Sequence, residues 1–385
     1  MDTTKILFSL IRAELKGTEV DTEIKQSIPV DMLTELYSLS AKHDIAHILG
    51  NALSKADLLK DDKMSEKFNK SVLNAFYRYE RSKYELSKIS EAFNNAQIPF
   101  ILLKGATIRD YYPEAWLRTS CDIDILIHEE DLDTAVSLLV SDYEYIVSDK
   151  KNYHDISLHS PEGVHLELHF SIKENIESLD RVLDNVWQYA TVSSDMNYKY
   201  EMTNEFLLFH IIAHIVKHFQ SGGCGIRTII DIWILEKSLS INKDVLNTLL
   251  SEAKLLRFYE CVRELYAVWL DGEAYTDISK KMEDYILLGG IYGSLPNKVL
   301  FQQQKKNGKF AYFIHRIFLP YDSLKNLYPL VIKHRWLVPF FQIHRWFKII
   351  FDGRAKRSMR ELSYNSNISK KQADEMKRFL DEIGL

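Results

Sequence analysis

Asp122 and Asp124 begin the segment Asp122-Ile123-Asp124-Ile125-Leu126-Ile127 and are separated by one residue. Because successive side chains of a β-strand point to opposite faces, this spacing places both carboxylates on one face if the segment is a strand. Paired carboxylates can hold Mg²⁺, whose other ligands are then waters or phosphate oxygens. The pair therefore indicates metal-assisted chemistry on phosphate groups. The alternative is the solvent-facing end of an ordinary half-buried strand.

Glu167 supplies a third acid in the alternating segment His165-Leu166-Glu167-Leu168-His169. We expect this segment to be a strand close to the one that carries the aspartates. A carboxylate there could complete a two-metal site and accept the proton of an attacking hydroxyl group. The alternative is an exposed acid on an edge strand.

The residues ahead of the aspartates have types that bind phosphate. The apolar run Ile98–Leu103 predicts a buried strand, and Lys104-Gly105-Ala106-Thr107 follows it. Glycine lets the backbone approach a ligand closely, and a helix that starts there can direct its amides at an anion. Lys104 and Arg118 could neutralise a triphosphate and its leaving group, although either could instead be a surface cation.

Helices are predicted on both sides of the segments that carry these residues. Apolar residues recur at three- and four-residue steps from Thr3 to Ala96, and again from about Met202 almost to Leu385. Between them, short apolar or alternating segments predict strands at Ile98–Leu103, Asp122–Ile127, Tyr143–Ser148, Tyr153–Ser160 and Val164–Phe170. Helical spacing also covers Glu129–Val140. The organisation is helices, then a small mixed sheet, then more helices.

The chain has 385 residues and a formal net charge of -5, which predicts no whole-chain attraction to nucleic acid or to an anionic membrane. Local patches can differ from this average. Cys121, Cys224 and Cys261 are too few and too widely spaced for a disulfide framework, so we expect core residues in a reducing compartment. Lacking a signal-peptide pattern and any stretch of roughly 18 apolar residues, the chain is expected to be cytoplasmic, without a membrane partner.

Several of these segments together resemble the uncharacterised nucleotidyltransferase family of the polymerase beta-like nucleotidyltransferase superfamily. The resemblance is carried by Leu102-Leu103-Lys104-Gly105-Ala106, Tyr112-Pro113, Arg118, Asp122–Ile127 and Glu167-Leu168-His169. Further matching residues in the helical half are His210, His214, His218, Arg227, Asp231, Leu337-Val338-Pro339 and Arg345. The resemblance covers most of the chain from about Leu36 onward.

The resemblance implies transfer of a nucleoside monophosphate from a nucleoside triphosphate to an acceptor hydroxyl. It implies that the catalytic and metal-binding residues, for Mg²⁺ or Mn²⁺, are Asp122, Asp124 and Glu167. The implied nucleotide-binding residues are Lys104, Gly105, Ala106, Thr107 and Arg118. Ala106 stands where the superfamily usually has Ser or Gly. We therefore expect phosphate contacts from backbone amides, Thr107, Lys104 or Arg118.

The predicted fold is α+β: a small mixed β-sheet in the nucleotidyltransferase catalytic core, residues 97–192, between an N-terminal helical region, residues 1–96, and a C-terminal helical domain, residues 193–385. We expect a nucleoside triphosphate as one partner and a small-molecule acceptor rather than nucleic acid as the other. Two other hypotheses remain. One is a non-catalytic nucleotide-binding protein of the same fold, and the other is a toxin-like transferase that acts on tRNA or protein.

Two features of the C-terminal half allow more than one interpretation. His210, His214 and His218 lie four residues apart on one helix face, which favours a structural or substrate-pocket role over zinc binding. Arg227 and Asp231 have the spacing of an ordinary helical ion pair, and the family resemblance offers closure of the cleft over nucleotide or acceptor instead.

The segment 333–360 interleaves basic residues with aromatic ones, a pattern that can bind single-stranded nucleic acid. Its basic residues are Lys333, Arg335, Arg345, Lys348, Arg354, Lys356, Arg357 and Arg360. We favour a solvated basic helix face instead and expect weak RNA binding, because Trp336, Phe340, Trp346 and Phe347 have the spacing of a buried helical stripe.

Overall fold

The N-terminal part of the protein is helical, as the apolar periodicity predicts. The structure, a computed structural model, describes residues 2–26, 28–60, 63–148, 154–290, 293–306, 308–351 and 355–385. The first helices are α1 (Thr3–Lys16), α2 (Thr22–Gln26), α3 (Val30–Lys42), α4 (Ala46–Lys55) and α5 (Lys63–Asn95). The N-terminal part of α5 packs on α4, and its C-terminal part reaches the sheet through the buried side chains of Ile89 and Phe93.

The middle of the chain forms a mixed sheet. Its strands are β1 (Phe100–Leu102), β2 (Asp122–Ile127), β3 (Ile146–Val147), β4 (Asp155–His159), β5 (His165–His169), β6 (Ala190–Val192) and β7 (Lys199–Met202). Their spatial order is β3-β4-β5-β2-β1-β7-β6. The pairs β2–β5 and β1–β7 are parallel, and the other neighbouring strands are antiparallel. Three helices accompany the sheet: α6 (Gly105–Ile108), α7 (Leu132–Tyr143) and α8 (Glu177–Leu183).

The predicted strands are present, although the predicted segment Tyr143–Ser148 contributes only Ile146–Val147 and Tyr143 instead ends α7, and two more strands complete the sheet. Strands β6 and β7 have only three and four residues, too few to establish a period-two pattern by themselves, although Lys199-Tyr200-Glu201-Met202 does alternate polar and apolar residues. The sheet places β7 beside β1 through main-chain pairing, which local sequence does not encode. Tyr153, predicted to begin a strand, lies outside the described residues.

Beyond the sheet the chain is helical almost to its end. The helices are α9 (Asn204–Gln220), α10 (Ile226–Ser238), α11 (Lys243–Glu252), α12 (Leu256–Tyr266), α13 (Asp277–Gly289), α14 (Leu295–Lys305), α15 (Lys309–Ile317), α16 (Tyr321–Leu327), α17 (Leu330–Lys333), α18 (Val338–Phe351), α19 (Ala355–Asn367) and α20 (Lys370–Ile383). The protein is therefore α+β, with helices before and after the sheet. Among the described residues, no helix has both the length and the apolar character to cross a membrane.

Two apolar cores lie on opposite faces of the sheet. One face of β2, with Ile123, Ile125 and Ile127, packs with α5 and α7. The other face meets a larger core that N-terminal and C-terminal helices share, where Phe8 of α1 stacks on Trp269 at a ring-centroid distance of 4.2 Å. The sheet is thus a middle layer between helices, and any side chain on its second face lies close to the C-terminal half of the chain.

One expectation about the cysteines is wrong. Cys224 and Cys261 are buried, as predicted, but Cys121 is exposed. Cys121 lies directly before the first aspartate of β2, in the turn that leads into the strand, and a residue at that place does not reach either core.

Candidate active site

The two aspartates lie side by side at the start of β2. Asp124 is directly opposite Glu167 on the parallel strand β5, and Asp122 is opposite His165. Ile123 is buried in the core on the other face of the sheet. The alternation expected from the sequence and the pairing of the two acid-bearing strands are both confirmed.

The side-chain donors on this face have the spacing of metal ligands. Donor atoms of Asp122, His165 and Glu167 all lie within 4.8 Å of one another, and so do those of Asp124, Glu167 and His169. Glu167 belongs to both groups. The carboxylate oxygens are hard donors that suit Mg²⁺ or Mn²⁺, so the residues fit a divalent cation of this kind.

Lys104 lies next to Asp124, the second and more buried of the two aspartates. Lys104 Nζ is 3.3 Å from Asp124 Oδ1, and His169 Nε2 is 2.9 Å from the same oxygen. Burial opposes the charge on Lys104, but the nearby carboxylates, above all Asp124, outweigh it and raise the lysine's pKa. Burial likewise opposes the charge on Asp124, yet Lys104 and His169 hold its pKa far below the usual value. The lysine and the aspartate therefore form a charged pair within the site.

The pKa of Asp122, the first aspartate of β2, is shifted in the opposite direction. Burial and the neighbouring charge of Asp124 raise the pKa of Asp122, and the contact with Ser120 only partly offsets them. Ser120 Oγ is 2.8 Å from Asp122 Oδ1. Without a cation, the two carboxylates repel each other, so the site gains from a positive charge placed between them.

The turn between β1 and α6 is held in a strained shape. Lys104 has φ 44° and ψ −115°, a region that favours glycine and costs other residues about 1–3 kcal/mol. The next residue, Gly105, approaches the loop before β2 so closely that an added Cβ would lie 3.0 Å from the Cβ and Oγ of Ser120. The glycine is therefore needed to pack the turn against this loop, and its contact with nucleotide stays a prediction.

The other predicted phosphate contacts after Gly105 already have partners. Thr107 Oγ1 donates a hydrogen bond to the Leu102 carbonyl at 2.8 Å. The backbone amides of Ala106 and Thr107 donate to the carbonyls of Leu103 and Lys104. Contact of Ala106 and Thr107 with phosphate stays a prediction, and it would require these hydrogen bonds to be exchanged.

Arg118 is buried in an ion pair behind the site. Its Nε atom is 2.7 Å from Asp231 Oδ1 on α10, and the same oxygen accepts a hydrogen bond of 2.7 Å from the Tyr112 hydroxyl. Arg118 also donates to the Thr119 carbonyl at 2.7 Å. This arrangement ties the loop before the aspartates to the C-terminal helices. The predicted contact of Arg118 with nucleotide is untested.

The expected ion pair between Arg227 and Asp231 is wrong. Arg227 pairs instead with Asp44, at 2.7 Å, and Asp231 pairs with Arg118. Their i, i+4 spacing puts both on one face of α10, but that face packs against other parts of the chain that offer closer partners. The helix spacing therefore assigned the wrong partners, and closure of the cleft by these two residues stays a prediction.

A small cleft of about 60 Å³ opens beside the acids. Its wall includes Lys104, Glu167 and His169 from the sheet side together with residues that the sequence did not single out, namely His154, Ser171, Lys173, Glu174 and Lys217. Lys217 lies on α9, three residues after His214, and therefore on the same helix face as the histidines. This spacing is the sequence feature that could have identified Lys217 as a cleft residue. Glu174 lies in a loop after β5, where no pattern marks it.

The histidine stripe of α9 lines and supports this cleft. His210 is part of the cleft wall, and burial lowers its pKa to about 4. His214 Nδ1 is 2.6 Å from Glu174 Oε1, and its Nε2 is 2.9 Å from His218 Nε2. Lys217 Nζ is 2.6 Å from the other Glu174 oxygen. The contacts of His214 are structural, and a substrate-pocket role for the stripe stays a prediction.

Comparison with known proteins agrees with this geometry. A family model described as "Uncharacterised nucleotidyltransferase" matches residues 32–271, which is more than half of the chain and includes β1, β2, β5 and α9. No curated protein matches the chain. The chain therefore belongs to the uncharacterised nucleotidyltransferase family and is a transferase.

Proposed function

We propose that this protein transfers a nucleoside monophosphate from a nucleoside triphosphate to a hydroxyl group of a small-molecule acceptor, with Mg²⁺ or Mn²⁺ as cofactor. The observation that carries the proposal is the placement of Asp124 opposite Glu167, with Asp122 on the same face of the sheet. Nucleotidyl transfer needs this type of acidic cluster beside a positively charged wall.

The three acids share one task in the proposed reaction, and Glu167 has a second. Asp122, Asp124 and Glu167 would hold the cation, which when bound supplies Lewis acidity and neutralises phosphate charge. Glu167 takes the proton of the acceptor hydroxyl as its oxygen forms a bond to the α-phosphorus. The bond to the β-phosphate oxygen breaks, and pyrophosphate leaves. Lys104 keeps Asp124 charged through their 3.3 Å contact.

The cleft cations are proposed to bind the β- and γ-phosphates. Lys217 and Lys173 lie in the cleft wall with Glu167, and their side chains are 36% and 41% exposed, so both can reach a ligand. Both lysines have carboxylate partners, Glu174 and Asp184, but Arg118, which is paired with the buried Asp231, has only 7% of its side chain exposed. We therefore assign the electrostatic attraction for the triphosphate to the lysines and the positioning of the aspartate loop to Arg118.

Lys217→Gln should raise the Kd for ATP about five- to tenfold and leave the Kd for adenosine nearly unchanged, because one charge-assisted contact to phosphate is lost. Calorimetry with both ligands measures the difference. Lys237→Gln is the matched control, since Lys237 is an exposed lysine that pairs with Asp271 away from the cleft. An equal change for ATP and adenosine would refute the phosphate contact.

Glu167→Gln should lower kcat by about 10²- to 10⁴-fold while the Kd for nucleotide changes little, since proton transfer matters in the transition state. The amide keeps the shape of the side chain and removes its charge. Single-turnover rates beside equilibrium nucleotide binding separate the two effects. If binding and rate fall together, Glu167 acts in holding the cation and not as the base.

The proposed function is tested by following label from each α-³²P-labelled nucleoside triphosphate, with Mg²⁺ or Mn²⁺ and a fractionated cell extract. Label in a small, phosphatase-resistant product supports the proposal. Label in RNA or protein would instead favour the toxin-like hypothesis. Nucleotide binding without transfer of label to any fraction would favour the non-catalytic one.

A further inference from the structure

Helix α18 carries large apolar side chains on its outer face. Their exposed fractions lie between 48% and 82%, and the residues are Phe340, Ile343, Phe347, Ile350 and Phe351, here called the apolar stripe. They recur at three- and four-residue steps and therefore share one side of the helix. The prediction that Trp336, Phe340, Trp346 and Phe347 form a buried stripe is wrong for three of them, because only Trp346 packs inward.

The inner side of α18 is held by polar side chains. Gln342 donates to the Leu319 carbonyl at 2.6 Å and accepts from the Leu319 amide at 3.2 Å. Trp346 Nε1 donates to the Ile317 carbonyl at 2.8 Å, and Arg345 donates to the same carbonyl. These contacts with the main chain fix the rotation of α18, so the apolar stripe is held outward.

The segment before α18 adds to this exposed apolar surface. Leu330, Ile332 and Trp336 are 58%, 62% and 76% exposed. Single exposed apolar residues are common, but a concentration of this kind within about two dozen residues marks an interaction surface.

The same part of the chain is strongly basic. Residues 309–360 contain eleven Lys and Arg residues against two Asp and no Glu, although the whole chain has a net charge of -5. Lys333 and Lys348 are exposed and directly follow the exposed Ile332 and Phe347 in the sequence. Arg354 and the side chain of Arg357 lie outside the described residues. The expectation of no membrane partner relied on the negative net charge of the whole chain, which does not show this local excess of positive charge.

We propose that the apolar stripe and the lysines beside it bind the surface of an anionic membrane. An apolar helix face flanked by Lys and Arg is the combination that lies in the lipid interface, and Trp336 is of the type that anchors there. With 14 residues, α18 is about 21 Å long, shorter than the roughly 30 Å hydrocarbon layer, so it would lie along the interface.

Two other occupants fit the surface less well. A symmetric contact between two copies would place the same patch against itself and bring its positive charges together. RNA would satisfy the charge, and bases could stack on Phe340, Phe347 and Trp336, but the exposed aliphatic side chains of Ile343, Ile350 and Ile332 would stay uncovered. Anionic lipid complements both the charge and the aliphatic side chains.

The test is sedimentation of the full-length protein with vesicles of phosphatidylcholine alone or mixed with phosphatidylglycerol. We expect binding to the mixed vesicles that weakens as salt rises, and little binding to phosphatidylcholine alone. The double variant Ile343→Glu and Phe347→Glu should lower the partition coefficient at least about tenfold. Lys333→Gln with Lys348→Gln should lower it about tenfold through loss of charge alone.

The control is Leu73→Glu with Tyr77→Glu on α5, where the two residues are 70% and 61% exposed and lie far from the basic segment in sequence. This variant should bind like the wild type, and thermal melting should show that every variant folds. The proposal is overturned if the wild type ignores the mixed vesicles, if the α18 variant binds them unchanged, or if the α5 variant loses binding equally. Submicromolar RNA binding, or a dimer by light scattering, that is lost in the α18 variant would also overturn it.

Discussion

Asp122→Asn is expected to slow nucleotidyl transfer about a thousandfold or more without destabilising the fold. The substitution removes one carboxylate from the acidic cluster, and about 4 kcal/mol of transition-state stabilisation corresponds to this loss of rate. Burial and Asp124 raise the pKa of Asp122, so in metal-free buffer its charged form opposes folding near neutral pH. The neutral amide should leave the free energy of unfolding unchanged or slightly higher.

A thermal-shift experiment separates the role in metal binding from the role in folding. Mn²⁺ should raise the Tm of the wild type, because a ligand that binds only the folded state stabilises it, by about 2.7 kcal/mol at a hundred times its Kd. The Asp122→Asn protein should respond far less. Asp133→Asn, an exposed substitution on α7, is the matched control and should behave like the wild type. Full activity together with a normal Mn²⁺ response in Asp122→Asn would exclude this assignment.

Asp122 is a better choice for this experiment than Asp124. Asp124 is 4% exposed and is the partner of Lys104 and His169. Removing it would leave the lysine charge buried with a weaker partner, and a loss of activity could then come from misfolding.

Arg118→Ala is expected to destabilise the protein by about 3–5 kcal/mol, which is the usual cost of leaving one member of a buried ion pair alone. Arg118 and Asp231 are 7% and 1% exposed and lie 2.7 Å apart. Asp231→Asn should be destabilising for the same reason. Urea unfolding of Arg118→Met, of Asp231→Leu and of the variant that carries both substitutions completes a double-mutant cycle.

The double variant distinguishes a structural role from a nucleotide contact. If Arg118 mainly positions the loop before β2, the double variant should regain most of the stability lost in the single variants and bind ATP almost normally once folded. A double variant that is stable but has lost the preference for ATP over adenosine would instead assign Arg118 to the triphosphate, as the family resemblance implies.

Strand segments and the faces of their side chains could be predicted from the sequence. The alternation in Asp122–Ile127 and His165–His169 identified β2 and β5 and put the acids on one face, because period two is a local property of extended backbone. The three- and four-residue periodicity likewise located the helical regions before and after the sheet. Family resemblance added the expectation that the three acids act together.

The partners of the charged and aromatic side chains could not be predicted in this way. The spacing of Arg227 and Asp231 indicated a pair within one helix, but the docking of α10 against the loop before β2 gave each a different partner. Lys217 lines the cleft because α9 packs against the sheet, and this packing is not visible in the local sequence. The aromatic spacing of α18 was helical as predicted, but the contacts of its polar side with residues 317–319 turned the apolar stripe outward.

The sequence by itself determined which residues share a strand face or a helix face, since backbone geometry sets those relations within a few residues. Only the tertiary structure decided what each face meets, because burial and ion pairing depend on segments far apart in the chain. Arg118 and Asp231, separated by 113 positions, are in contact for this reason. The acids of β2 and β5 were predictable as a group, whereas their lysine neighbours and the exposed surface of α18 required the packed fold.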